Sequence, residues 1–303
     1  MIRIGTDCSG IEAPIQALKK MGISFRHEFS CEKDAHCIES IRANYHPNRL
    51  DTDMTTRDIS TLPAIDLYVC GFPCQPFSSA GKRQGTEDDQ GRGEIFWYCM
   101  DVIKRLRPKA FILENVKGLL SIDEGHTFDT IITSLESLSY RLDWNVLNTK
   151  DYGIPQNRER LFIIGLLPDI EPFEWPEPTD MPDLSLFIDE DDTLSDTLPD
   201  FVKRARLFHH LPKDSCFVDI GFPHRDFPNS NRICPCLTTQ GNLWCVPFQR
   251  RANLREYLTL QGFPVSFKQV VSDRQLKKQI GNSMSVNVLS ALFTSILPLL
   301  GFL

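Results

Sequence analysis

Short apolar runs alternate with amphipathic stretches along the first half of the chain. Residues 2 to 5 read as a strand that stops at Thr6-Asp7-Cys8-Ser9-Gly10, after which Ile11, Ile15 and Leu18 share one helical face. "FRHEFSCE" is a second strand closing on Glu32, and Asp34 is placed to cap a helix through Ile38 and Ile41. "DLYVCGF" is continuously apolar, as in a parallel strand covered on both faces. "IFWYCMDVIKRL" reads as helix, "KAFILENV" as strand, "TFDTIITSLESLSY" as helix and "LFIIGLL" as strand. Strands alternating with helices as far as Leu167 predict a doubly wound α/β domain, and no internal repeat interrupts them.

The alternation stops near Pro168, where Pro172, Pro176, Pro178 and Pro182 follow among loop residues. A domain boundary is therefore set at 175. Residues 176–262 lack βα alternation and read as a small irregular domain. From Lys277 a helical pattern returns in "QIGNSMSVNVLSALFTSIL", so residues 263–303 are expected to pack back on the first domain. The apolar C-terminus is shorter than a membrane span and is interrupted by Ser290, Thr294, Ser295 and Pro298; a buried terminal helix is expected there.

The 303 residues allow one large domain, or one large and one small, with ordinary globular composition. The N-terminus has neither an apolar h-region nor a cleavage site. Ten cysteines without a C-x-x-C pair fit a reduced intracellular compartment, and Cys234-Pro-Cys236 has the wrong spacing for a zinc knuckle, so no metal and no membrane are expected. A net charge of −7 argues against indiscriminate nucleic-acid binding. Residues 169–200 hold many Asp and Glu and no Lys or Arg; beyond them come Lys203, Arg204, Arg206, Lys213, Arg225, Arg232, Arg250, Arg251 and Arg255. Charge alone favours a solvated acidic linker followed by ordinary surface over a basic face for phosphates.

Candidate chemistry gathers at the carboxyl ends of the strands, where doubly wound sheets bind ligands. Gly10 lets backbone approach a ligand closely. Glu32 lies about 20 residues beyond that turn, where a carboxylate can accept from ribose hydroxyls. Asp58-Ile59 could hold an adenine amino group. With no Walker lysine or glycine-rich phosphate cradle, these residues suit an adenosine cofactor without phosphates better than a dinucleotide. In "GFPCQPFSS", Pro73 and Pro76 hold Cys74 in a stiff extended turn. Gly81, Gly85, Gly91 and Gly93, with Lys82, Arg83 and Arg92 between them, have the composition of a mobile lid, and a thiolate near such cations is a competent nucleophile. Glu114 and Asn115 end another apolar strand, where a carboxyl group can hold and donate a proton. Arg158 and Arg160 point to one side of an extended segment; alone, that pair reads as surface salt bridges.

In this order and spacing the chain resembles the DNA (cytosine-5)-methyltransferases over most of its length. "DCSGIEAP" resembles the first S-adenosylmethionine motif, Glu32 and Asp58-Ile59 the second and third, "GFPCQPFS" the catalytic motif, "ENV" the proton-donor motif and "QNRER" the Q-x-R-x-R motif. "RANLREYLTLQGFP" is similar to the segment closing the recognition domain, and "QIGNSMSVNVL" to the last motif. Glu12 and Ala13 stand at glycine positions of the first motif, and Asn253 at a usual threonine.

The resemblance implies a Rossmann-like methyltransferase domain followed by a small target-recognition domain. It implies Cys74, Glu114, Arg158 and Arg160 as catalytic. It implies S-adenosylmethionine held by Asp7, Cys8, Ser9, Gly10, Ile11, Glu12, Glu32, Lys33, Asp58, Ile59, Gly71, Pro73, Asn282, Ser283 and Val286. Gln75, Ser78, Lys82, Asn115, Thr238, Thr239 and Gln240 are the implied contacts to double-stranded DNA. An intracellular monomer in cytoplasm or nucleoid (nucleus for a eukaryotic host) is expected, with a restriction endonuclease acting separately as a candidate partner. A tRNA methyltransferase of the same fold would carry Cys-Phe-Thr near "TLQGFP", a silent homologue would have lost Cys74, Glu114 or the arginines, and a thiol hydrolase would show a His-Cys pairing.

Overall fold

The computed structural model describes residues 1–73, 95–192, 216–221 and 232–303. They form two compact units: Met1–Leu147 with Glu159–Pro176 and Leu289–Leu303, and Asn148–Arg158 with Glu177–Val288. One division falls between Pro176 and Glu177, and another between Val288 and Leu289.

The first unit is built on β1 (Ile2–Asp7), α1 (Ala13–Lys20), β2 (Phe25–Cys31), α2 (Ala35–Asn44), β3 (Leu50–Asp51), β4 (Leu67–Cys70), α3 (Ile95–Leu106), β5 (Ala110–Val116), α4 (His126–Glu136), β6 (Arg141–Asn148) and β7 (Glu159–Leu166). The strands make one sheet in the order β3-β2-β1-β4-β5-β7-β6. The pairs from β3 to β5 are parallel, whereas β5 and β7 run antiparallel. Alternate residues explain the continuous apolar strands. Tyr68, Cys70, Phe111, Leu113, Leu161 and Ile163 share one core with Phe96, Val102 and Ile103 of α3 and Ile131 and Leu135 of α4. Their neighbours Val69, Ile112 and Ile164 are buried as well, so both faces are covered. Asp34 caps α2 as expected, accepting from the backbone N–H groups of His36 and Cys37.

Sequence pattern missed β6. Its Asp143, Trp144 and Asn145 are exposed, as an edge strand allows, so no run of apolar residues marks it.

The second unit contains a small antiparallel sheet, in the order β10-β9-β8, of β8 (Phe217–Asp219), β9 (Leu243–Cys245) and β10 (Arg250–Arg251), with helices α5 (Leu254–Gln261) and α6 (Asp273–Asn282). Asn253 begins α5 with a capping box closed by Glu256. The acidic stretch is not merely a solvated linker: Asp189 and Asp192 accept from the Asn253 amide at 2.9 and 3.0 Å, and Arg250 donates to the Asp192 carbonyl at 2.7 Å.

The helical pattern expected from Lys277 is realised as two helices, with a break at Ser283–Ser285 before α7 (Val286–Leu299). The Ser283 carbonyl accepts from Arg158 at 2.7 Å and from Gln261 at 2.8 Å instead of serving a helical N–H. Although α6 and α7 together are long and apolar enough to be a candidate span, Leu289, Leu292, Phe293, Ile296 and Leu297 are buried, as in a core helix.

Candidate active site

At the carboxyl end of β1, residues 8–12 turn sharply. Cys8, Gly10 and Glu12 all have positive φ. Gly10, at φ +55, has nothing within 4 Å of where a Cβ would stand, so its backbone faces open space. Its N–H donates to Glu32 Oε2 at 2.7 Å, while Glu32 Oε1 accepts from the N–H groups of Lys33 and Asp34. Burial nonetheless raises the Glu32 pKa, and the side chain stays partly exposed. A half-open carboxylate beside a bare backbone is a fitting place for a ribose. Asp58 accepts from Ser60 N–H at 2.9 Å and is exposed, which leaves it able to accept from a ligand amine. The Lys33 ammonium meets Asp53 at 3.0 Å.

Several expected cofactor residues turn inward. Ile11 lies in the core. The Asp7 carboxylate is buried and bound by Arg57 and by the Tyr68 hydroxyl. Glu12 is fully buried. Its Oε1 accepts from Thr6 at 2.9 Å and Ser30 at 2.5 Å and lies 3.5 Å from His27 Nε2. Burial pushes the Glu12 pKa up to about 8 and the His27 pKa down to about 3, so at neutral pH a proton resides on the acid and the imidazole is neutral. What Asp7 and Glu12 can offer a ligand is backbone. Arg57 carried no sequence signal of its own; only its place next to Asp58 could have drawn attention to it.

The candidate catalytic residues of β5 lie two strands away. β5 ends with Glu114 and Asn115 on opposite faces. Arg160, on β7, stands opposite Val116, which puts it on the Glu114 face; Arg160 Nε is 3.3 Å from Glu114 Oε1. On the other face the Asn115 amide donates to the Phe72 carbonyl at 3.0 Å and is 3% exposed. Asn115 thereby ties β5 to the Gly71-Phe72-Pro73 segment that precedes Cys74 in the chain. Cys74, Gln75, Ser78 and Lys82 lie outside the described residues. Among the described residues, no group of His, Cys, Asp and Glu could hold a metal ion.

In the second unit, Arg158 is 2% exposed and donates to the carbonyls of Leu237 at 3.0 Å and Ser283 at 2.7 Å. A guanidinium so engaged positions backbone. Gln156 accepts from Leu237 N–H at 3.1 Å and donates to the Leu260 carbonyl at 2.7 Å. A Cβ on Gly281 would fall 2.2 Å from the Thr238 carbonyl oxygen. Residues 237–240 are thus held by their backbone, and Thr239 and Gln240 are exposed. Asn282 is exposed too, whereas Ser283 and Val286 are buried.

The seven-stranded sheet thus carries a partly open carboxylate after β2 and an acid–arginine pair at the end of β5, as an α/β enzyme of the methyltransferase class would. The model of the C-5 cytosine-specific DNA methylase family matches residues 7–214 and 230–298, and the chain belongs to that family. It is 37% identical over 294 residues to the type II methyltransferase M.NgoBI of Neisseria gonorrhoeae, covering 93% of this chain and 89% of that one. It is 36% identical to the type II methyltransferase M.HaeII of Haemophilus aegyptius, covering 90% and 86%. Its fold is that of Spodoptera frugiperda DNMT2, with TM-score 0.74 at 18% identity over 99% of this chain and 100% of that one, and of S. pombe Dnmt2, with TM-score 0.71 at 19% identity over 98% of each.

Proposed function

We propose that the chain methylates carbon 5 of a cytosine flipped out of a short, specific duplex DNA site, through a covalent adduct with Cys74. The observation that carries this reading is the end of β5: Glu114 is paired with Arg160 on one face, and Asn115 holds the approach to Cys74 on the other. Glu32, Gly10 and Asp58 fit the nucleoside part of S-adenosylmethionine, which supplies the methyl group when bound.

A stacked base cannot reach a protein thiol, so the cytosine leaves the helix at a cost of a few kcal/mol. The Cys74 thiolate adds to carbon 6, and the electrons of the 5,6 double bond make carbon 5 nucleophilic. Arg160, which faces Glu114 in the free enzyme, turns to O2. Glu114 engages N3 and the exocyclic amine and, carrying a proton, stabilises the adduct. Once carbon 5 is methylated, loss of its proton restores the double bond and expels Cys74. Proline on either side of the cysteine limits the entropy lost in placing sulfur at about 3–3.5 Å from carbon 6.

Contacts from Ser78, Lys82 and the basic residues beyond 200 to phosphates offset the cost of flipping. Thr238, Thr239 and Gln240 contact backbone and flanking bases. Residues 1–175 carry catalysis and cofactor, 176–262 carry target recognition, and 263–303 complete the catalytic domain. Type II relatives support an intracellular modification enzyme, of the cytoplasm or nucleoid, with a separate endonuclease; a monomer suffices for the reaction.

Duplex DNA bearing 5-fluorocytosine at the target tests the adduct, because fluorine cannot leave as a cation. With S-adenosylmethionine it should give a complex that survives denaturing electrophoresis, with the mass of protein, DNA and one methyl group and the link at Cys74. Cys74→Ser should form none, and Glu114→Gln should form it about 100-fold more slowly. A link at another cysteine, or none while ordinary DNA is methylated, overturns the mechanism.

A further inference from the structure

The two stretches that flank the candidate nucleoside site are joined beneath it by a buried charge pair. β1 delivers Asp7 immediately before the open turn at Gly10, and Arg57 immediately precedes Asp58-Ile59. Arg57 Nη1 donates to Asp7 Oδ1 at 2.7 Å and Nη2 to Oδ2, and the Tyr68 hydroxyl donates to Oδ2 at 2.7 Å. Both ionic side chains are shielded, Arg57 at 2% and Asp7 at 0% exposure. The guanidinium also lies over the Phe29 ring, 5.2 Å from its centroid, and Nη1 is 3.8 Å from Asp51. One carboxylate therefore links the end of β1, the turn entering residues 58–59 and β4.

Stability alone is a poor reason for this arrangement. Removing two charges from water is costly, and well-packed apolar residues of similar volume often serve a core as well or better. A fork-to-fork pair supplies what an apolar contact does not, which is a fixed orientation as well as a fixed distance. The Arg57 Nε is buried with no partner among the described residues, so full satisfaction of its donors has been forgone while the two-point grip on Asp7 is kept.

We propose that the Asp7–Arg57 pair is a positioning strut for S-adenosylmethionine, setting the span between the Gly10–Glu32 ribose edge and the Asp58-Ile59 adenine edge. This rests on the reading that the nucleoside binds at that edge. The strut touches no ligand atom. It acts through the placement of Gly10 and Asp58, so its loss should weaken binding in a protein that remains folded.

Calorimetric titration of the full chain with S-adenosylmethionine, at a temperature where circular dichroism is native for every variant, tests this. Arg57→Met and Asp7→Asn should each weaken binding about 10- to 100-fold, the loss expected when reacting or binding groups are displaced by about 1 Å. Arg57→Lys, which keeps the charge but loses the fork, should fall between them and wild type. The double variant Asp7→Asn/Arg57→Met should lose no more than the worse single variant, since both remove the same contact. Should Arg57→Met not fold, Asp7→Asn and Arg57→Lys carry the same comparison. Lower melting temperatures with unchanged affinity, or losses that add in the double variant, would overturn the strut. Glu32→Ala and Asp58→Ala separate the two levels: weakened binding there with an unaffected Arg57→Met sinks the strut alone, and unweakened binding in both sinks the site reading and the strut with it.

Discussion

The turn after β1 and the segment 237–240 are fixed by different means. The first is held largely by side chains bonding side chains, Asp7 to Arg57 and Tyr68 and Glu12 to Thr6 and Ser30, with Glu32 accepting from the Gly10 N–H besides. The second is held by side chains bonding backbone: Arg158 to the Leu237 carbonyl, Gln156 to the Leu237 N–H, and Gly281 pressed on the Thr238 carbonyl. A grip on backbone is indifferent to the side chains it displays. Residues at 238–240 can then change identity without losing their placement, whereas a change at Asp7 or Glu12 removes the hold itself.

The sharpest way to break the comparison is to attack the backbone grip. Glycine inside a helix is ordinarily unfavourable by about 1 kcal/mol relative to alanine, yet alanine at 281 would place its Cβ 2.4 Å from the Thr238 carbonyl carbon, where only backbone could yield. Gly281→Ala should destabilise the chain by about 2–3 kcal/mol, read as a lower urea midpoint. An unchanged midpoint would show that the segment is not held there.

A smaller effect should come from the carboxyl grip, and it should depend on pH. Burial raises the Glu12 pKa to about 8 from 4.5, so the stability it contributes is complete below pH 4.5 and is lost as pH rises through 8. His27 is held down at about 3 against 6.5, so its contribution is present above pH 6.5 and lost as pH falls towards 3. Glu32, Tyr45 and Lys19 also act on this pair. Between pH 6.5 and 8.5 the Glu12 trend stands without opposition from His27, and wild type should lose about 1–2 kcal/mol across that interval. Glu12→Gln should flatten that slope in denaturation midpoints measured at each pH; a slope equal to that of wild type would place the titration elsewhere.

The smallest effect on stability should accompany a change in target. Thr239→Ala and Gln240→Ala should move the unfolding free energy by no more than about 0.5 kcal/mol. Bisulfite sequencing of DNA from cells expressing them should nonetheless show altered target preference. A methylation pattern identical to wild type in both would remove this segment from recognition.

Much of this organisation was legible in the chain, and the exceptions have physical causes. The strands around Val69, Ile112 and Ile163 announced themselves because both faces of the sheet are covered and the runs are apolar without interruption, while those around Ile4 and Phe29 were marked by the turn and helix signals that follow them. β6 did not, since an exposed edge strand has no such run. Glu32, Glu114 and Arg160 stand where their places at strand ends implied. Asp7, Glu12, Asn115 and Arg158 also lie where expected along the chain, but their side chains are buried and bonded to other parts of the protein. Their partners Arg57, Ser30, Phe72 and Leu237 come from distant stretches, and position along a strand does not reveal which polar group will be met across it.

The reversal of β7 has a further consequence. Strand-end chemistry in a parallel sheet can recruit only residues that end strands, and Arg160 belongs to a strand's beginning. Had β7 run parallel to its neighbour, the same sequence would have carried Arg160 to the far rim of the sheet, roughly 20 Å away at about 3.3 Å per residue. By turning one strand over, the chain recruits a cation from the wrong end of the alphabet of strand positions and sets it beside Glu114. The reversal does what a separate loop would otherwise have to do, and does it on the stiffest part of the molecule.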